Sequence, residues 1–216
     1  MFLSVNSVSL YYKQQGAGAP IILLHGNGES HAIFDGLTEK LSLTHSVYAL
    51  DSRSHGRSGD APLDYTEMAR DVISFIRELK LEKPILYGFS DGGIIGLLIA
   101  MEYPEMLSKL IISGANLHPG GVKGRYLIAM RAVYLFARNP KYKLMLTQPH
   151  IDPADLGRIS VPTLVLAGSR DMIREAHTRK IAACIPDSTL RILPGETHES
   201  YVLDNEKLHE ILAAWN

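Results

Sequence analysis

Ser90 stands in Gly88-Phe89-Ser90-Asp91-Gly92-Gly93, behind the apolar run Ile85-Leu86-Tyr87 and ahead of a second one, Ile94 to Ala100. That order reads as strand, sharp turn and helix, with the serine at the apex. The turn strains the Ser90 backbone. Gly88 and Gly92 flank it at two residues' distance, where a side chain would collide with the opposite limb. This is the G-x-S-x-G nucleophile elbow. It lifts a hydroxyl clear of a sheet and sets it near a helix N-terminus, where the Asp91 backbone N–H faces a developing oxyanion. The plainer reading is a glycine-rich turn whose serine caps the next helix.

A serine hydroxyl is a weak nucleophile at neutral pH. It needs a base, and the base needs an acid to fix its tautomer and stabilise its charge. Of the nine histidines, His198 lies in Pro194-Gly195-Glu196-Thr197-His198, directly after the last strand and before the last helix. A loop histidine with no role is its ordinary alternative. His177 and His209 fall on predicted helices and read as surface residues. His25 and His55 sit in glycine loops near the site, where structural hydrogen bonding suits them. His31, His45, His118 and His150 carry no positional argument.

Asp171 follows the strand Thr163 to Ala167 through Gly168-Ser169-Arg170. Its competing role is the N-cap of a helix from Ile173 to Cys184. Chain order favours the acid, because serine, acid, histidine is the order expected after an elbow. The other place for an acid, beyond the strand Lys109 to Ser113, holds Asn116, which cannot ionise. The second oxyanion donor should come from the turn His25-Gly26-Asn27-Gly28, through the Asn27 backbone N–H. Gly26 and Gly28 let that loop approach closely, although glycines occur in any tight turn.

The elements that position these residues alternate. Phe2 to Val5 and Val8 to Gln14 form a hairpin around Asn6-Ser7. Ile21 to Leu24 and Val47 to Leu50 read as strands buried on both faces, and Ala32 to Leu43 as a helix between them. Asp64 and Glu67 resemble a capping box, with Leu63 and Met68 as a staple. Tyr65, Met68, Ala69, Val72, Ile73, Ile76 and Leu79 then share one helical face. Pro84 opens the strand that leads to Ser90. Thr189 to Leu193 is the last strand and Tyr201 to Trp215 the last helix. Short apolar strands alternating with helices predict a mainly parallel α/β sheet covered on both faces, with ligands at the strands' carboxyl ends. Asn27, Ser90, Asp171 and His198 all follow strand ends.

The 216 residues suit one α/β domain. A net charge of −1 gives no electrostatic case for nucleic acid or an anionic membrane. Cys184 is the only cysteine, so no intrachain disulfide forms, which fits a reducing, cytoplasmic setting. No signal peptide or membrane-spanning run is expected. The histidines lack metal-ligand spacing, so neither a metal nor a cofactor is expected.

On the motifs His25-Gly26-Asn27-Gly28, Asp51-x-Arg53-x-x-Gly56-x-Ser58, Gly88 to Gly93, Gly168 to Asp171 and Gly195 to His198, the chain resembles the α/β-hydrolase superfamily over nearly its whole length. The resemblance implies Ser90 as nucleophile, His198 as base, Asp171 as acid, and Asn27 and Asp91 as the oxyanion hole. Many relatives carry glycine where this chain has Ser54, so no function is carried onto the loop Asp51 to Gly59. Ser90 excludes a haloalkane dehalogenase, whose similar elbow carries an aspartate. The resemblance also implies a single domain over residues 1–216 with a short cap, 116–158, inserted after the sixth strand.

That cap should hold an amphipathic helix from Val122 to Arg138 and a second from Lys141 to Thr147. Tyr126, Met130, Tyr134 and Phe136 would supply apolar contacts or pocket lining. Lys123, Arg125, Arg131, Arg138, Lys141 and Lys143 make it basic, to attract anionic substrates or, more plainly, as a solvated face. The expected activity is metal-independent hydrolysis of small carboxylic esters through an acyl-enzyme. A thioesterase, a carbon–carbon bond hydrolase or a slow-turnover ligand sensor would use the same groups. The expected partner is a small ester, with a homodimer left open.

Overall fold

Residues 1–215 are described by the computed structural model. The hairpin of β1 (Phe2–Val5) and β2 (Val8–Gln15) pairs antiparallel, and β2 pairs antiparallel with β4 (His45–Leu50). β3 (Ala19–Leu24), β5 (Ile85–Phe89), β6 (Lys109–Ser113), β7 (Thr163–Gly168) and β8 (Ser188–Leu193) continue in parallel. The sheet order is β1-β2-β4-β3-β5-β6-β7-β8. The mainly parallel α/β sheet expected from the sequence is therefore present.

Side chains alternate along each central strand between two apolar layers, as period two requires. Ile22, Leu24, Leu86, Leu110, Ile112 and Val165 belong to one layer. It is closed by α2 (Tyr65–Glu78), α3 (Asp91–Glu102) and α6 (Glu175–Cys184). Ile21, Leu23, Tyr87, Ile111, Leu164 and Leu166 form the other, closed by α1 (Asp35–Leu41) and α8 (Asn205–Ala213). With both faces covered, these strands carry continuous apolar runs, and their carboxyl ends share one edge of the sheet.

Several boundaries differ from expectation. The first helix opens with a 3₁₀ turn, His31–Phe34. Asp64 caps α2 by accepting from the Thr66 and Glu67 N–H groups, but Glu67 does not reach back and pairs with Arg70. Ile173 lies outside α6, because its backbone forms a bridge with Val122. The last helix is broken into α7 (Ser200–Leu203) and α8, where Asp204 caps α8 through the Lys207 N–H.

The largest departure lies between β6 and β7. α4 (Gly124–Ala137) and α5 (Pro140–Thr147) pack against each other there. No residue of α4 is buried, and Phe136 is 90% exposed. α4 is thus not the one-sided amphipathic helix expected, and Phe136 lines nothing. No helix among the described residues is long and apolar enough to cross a membrane.

Candidate active site

β5 ends at Phe89 and α3 begins at Asp91, leaving Ser90 alone at the apex with φ 53° and ψ −111°. Only glycine adopts such a φ without strain. A Cβ on Gly88 would strike the Gly92 carbonyl oxygen, the opposite limb of the turn. A Cβ on Gly92 would instead strike the Leu24 carbonyl of the neighbouring strand, a constraint the local sequence did not reveal. Ser90 makes no side-chain cap bond to α3, so the capping alternative is not what the turn does.

The Ser90 hydroxyl donates to His198 Nε2 at 3.0 Å, and the His198 Nδ1–H donates to Asp171 Oδ1 at 2.7 Å. Asp171 is buried, at 2% exposure. Its Oδ1 also accepts the Ile173 N–H at 2.8 Å, while α6 takes its N-cap from Arg174. Asp171 therefore orders the turn after β7 without capping a helix. The loop bearing His198 is tied down by reciprocal bonds between Thr197 and Ser200. Gly114, at the end of β6, leaves room for the imidazole: a Cβ there would lie 2.6 Å from His198 Cε1. The Phe89 ring lies 5.0 Å from the imidazole centroid. Sequence reasoning did not single out Gly114 or Phe89 for this.

The turn after β3 lies against the N-terminus of α3. Asn27 Nδ2 donates to Asp91 Oδ2 at 2.8 Å, and the Tyr65 hydroxyl donates to Asp91 Oδ1 at 2.7 Å. Burial pushes the Asp91 carboxyl above its ordinary range, against the pull of those two donors. Asn27 Nδ2 also reaches the Lys141 carbonyl, linking this turn to α5. Among the described residues, neither the Asn27 nor the Asp91 backbone N–H has an acceptor within the chain. Glu29 accepts the Gly26 N–H and lines the cleft with Ser90, its carboxyl raised chiefly by burial. Tyr65 and Glu29 were absent from the sequence-derived site. Their signal was only proximity in sequence to Asp64 and to Asn27.

Ser90 and His198 border two clefts. One, of about 310 Å³, runs under α4 and α5 and is lined by Tyr65, Val122, Met130, Met145 and Ile173. The other, of about 480 Å³, is more open and runs past Asn27, Glu29 and Glu199. Asn116 lines the first cleft. Among the described residues, no group of three or more His, Cys, Asp or Glu side chains is placed to hold a metal ion.

The loop Asp51 to Gly59 is a structural knot beside the site. Arg53 Nε and Nη2 bind the Asp71 carboxylate at 2.7 and 2.8 Å. Asp51, fully buried, accepts from the His31 and Arg57 N–H groups and from the His31 ring. His25 donates from Nδ1 to the Gly26 carbonyl and accepts the Ser52 N–H, and His55 bonds to the Arg53 carbonyl. Both have the hydrogen-bonding roles expected. His177 does not fit the surface reading: it is half-buried and its Nε2 accepts the Leu117 N–H at 2.9 Å.

Burial pushes the His25 and His177 imidazoles down to about 4. Their folded values lie below the ordinary 6.5, so the unfolded chain takes up protons first. Stability from these two groups is complete above about pH 6.5 and is lost as pH falls toward 4. For His25 the shift corresponds to roughly 3 kcal/mol. Asp91 and Glu29 are shifted upward and blunt the loss. The thermal midpoint should therefore drop between pH 6.5 and 4. His177→Gln, whose carbonyl can still accept from Leu117, should flatten that drop. An unchanged slope would show that His177 is not buried neutral.

The model of the alpha/beta hydrolase family matches residues 21–211. The human protein "Serine hydrolase BPHL" is 29% identical over 93% of this chain and 80% of its own. An esterase from Exiguobacterium antarcticum superposes with a TM-score of 0.86, at 22% identity, over 99% of this chain and 98% of that one. The enol-lactonase from Burkholderia xenovorans LB400 gives 0.83 at 17% identity, over 100% and 97%. At those identities the two structural likenesses are of fold.

Proposed function

Because the chain belongs to the alpha/beta hydrolase family, we propose that it is a serine hydrolase of small carboxylic esters, with Ser90 as nucleophile, His198 as base and Asp171 as acid. The observation that carries this reading is the continuous relay Ser90–His198–Asp171, with links of 3.0 and 2.7 Å, at the apex of a strained turn. The human relative's name as a serine hydrolase supports it.

Ser90 Oγ attacks the ester carbonyl while His198 Nε2 takes its proton. The oxyanion that forms is held by the Asn27 and Asp91 N–H groups. His198 returns the proton to the departing alcohol, leaving an acyl group on Ser90. Water, deprotonated by His198, then releases the acid and restores the serine. Residues 1–216 form one domain in this reading, and 116–158 are its cap. The cap closes the smaller cleft over the acyl group. A serine-reactive phosphonate followed by peptide mapping tests the assignment: a single adduct on Ser90 is expected, and an adduct on Ser169 or Ser200 would refute it.

The acyl group is assigned to the narrower of the two clefts, walled by Tyr65, Val122, Met130, Met145 and Ile173. Each methylene that finds apolar surface contributes about 0.8 kcal/mol, or about fourfold in kcat/KM. The gain should stop once the chain outgrows the cleft. A series of p-nitrophenyl esters should favour short acyl groups, with a plateau or decline by medium length. Rates that climb steadily through long-chain esters would overturn the assignment of this cleft to the acyl group.

A further inference from the structure

α4 carries apolar residues on two faces, interrupted by Arg125 and Arg131, and none of its residues is fully buried. Ile128, Val133, Leu135 and Phe136 are 69%, 41%, 62% and 90% exposed. An apolar helix face is ordinarily covered by protein or lipid. At the helical repeat, Ile128, Ala132, Leu135 and Phe136 share one outward face, with Arg125 at its N-terminal end. The half-buried Tyr126, Leu127, Met130 and Tyr134 lie opposite, and Met130 lines the cleft at Ser90. The inner face therefore has its work beside the cleft, and the outer face has no partner within the chain. A contiguous apolar patch of this kind marks a contact surface.

The fringe of that patch identifies what it contacts. Lys123, Arg125, Arg131, Arg138, Lys141 and Lys143 lie on or beside α4 and α5 in sequence, and no Asp or Glu occurs between Glu105 and Asp152. Lys123 donates to the Asp171 carbonyl and Lys141 faces His25 and His55, which leaves Arg125, Arg131, Arg138 and Lys143 to the fringe of the patch. Among the described residues, none of these six is in an ion pair. The net charge is −1, so the rest of the chain is negative and the molecule carries a strong charge asymmetry. A second copy docked on this face would bring two unneutralised sets of cations together, which argues against a dimer here. An anionic amphiphilic surface satisfies both features, since it accepts apolar side chains and pairs with cations.

We propose that the outer face of α4 docks on an anionic lipid surface, with Ile128, Leu135 and Phe136 entering the interface and Arg131, Arg138 and Lys143 meeting lipid phosphates. The docking is peripheral, with α4 lying in the plane of the surface. The expectation of no membrane partner rested on the whole-chain charge, which hides this local excess. The proposal does not depend on the chemistry assigned to Ser90.

Sedimentation of the full chain with vesicles tests it. The chain should pellet at low salt with vesicles of equal parts phosphatidylcholine and phosphatidylserine. It should bind phosphatidylcholine alone at least about tenfold more weakly. Binding should vanish near 1 M salt, where the Debye length is about 3 Å. Replacing Ile128 and Phe136 together by serine should weaken binding by about tenfold or more. Arg131→Gln with Arg138→Gln should do the same, and the far-UV circular dichroism should not change, since all four side chains are exposed. No pelleting at low salt would overturn the proposal, as would binding that survives both pairs of substitutions. Dimerisation that the serine substitutions abolish, or retention on polyglutamate without vesicle binding, would assign the face to a second copy or an acidic protein instead and equally overturn it.

Discussion

Ser90→Ala is expected to lower kcat on any ester substrate by about 10⁴-fold or more, with the fold intact. The hydroxyl is the only group the reading uses to form a covalent bond, and its removal leaves His198 with no proton to accept. Alanine keeps the Cβ, so the strained backbone at φ 53° and its cost, of order 1–3 kcal/mol, are retained. What is lost structurally is one hydrogen bond, to His198 Nε2. The unfolding midpoint should therefore move little while activity collapses. Ser90→Gly separates the two properties further: it should be equally inactive yet more stable than the alanine variant, because glycine relaxes a positive φ. Ester turnover by Ser90→Ala within tenfold of the parent protein would remove Ser90 from the chemistry.

The parts of this structure that were legible in the sequence share a physical cause. Strands buried on both faces must be short and apolar, so Ile21 to Leu24, Ile85 to Phe89 and Thr163 to Ala167 announced themselves, and the site residues stand directly after them. Ser90, Asp171 and His198 were readable because each follows a strand through a turn rich in glycine. Interactions whose partners are remote in sequence were not readable. Arg53 finds Asp71 on an otherwise apolar helix face, and Asp91 finds Tyr65 and Asn27, each from a different element. Ile173 was assigned to a helix because its own neighbours favour one. Pairing with Val122, supported by bonds from Lys123 N–H to the Met172 carbonyl and from Arg174 N–H to the Gly121 carbonyl, draws it out. The single long helix at the end ignored Asp204, whose side chain is the cap that starts α8. In α4 the aromatic spacing suggested one apolar face, but the helix has two, and spacing alone does not say which of them the fold covers.

Asp171→Asn should lower kcat by about 10³- to 10⁴-fold, and the geometry says why the amide cannot substitute. Oδ1 accepts both the His198 Nδ1–H and the Ile173 N–H, and Oδ2 is buried without a partner. If the asparagine keeps its oxygen in the Oδ1 position, both bonds survive. Its NH₂ group is then buried with no acceptor, and the negative charge that would stabilise the imidazolium is gone. If the amide turns over, its nitrogen faces Nδ1 and holds His198 with the proton on Nε2, the atom that must receive the serine proton. The Ile173 N–H then faces another donor. Either orientation costs catalysis, the first through lost charge stabilisation and the second through the tautomer. The cost to folding is limited in both to about one buried polar group, some 1–3 kcal/mol. Steady-state kinetics and a thermal melt on the same preparation therefore distinguish two roles for this carboxylate. A collapse of kcat with a modest shift in midpoint is expected. Activity within tenfold of the parent, with the same shift in midpoint, would leave Asp171 as the acceptor that holds the turn at Ile173 and nothing more.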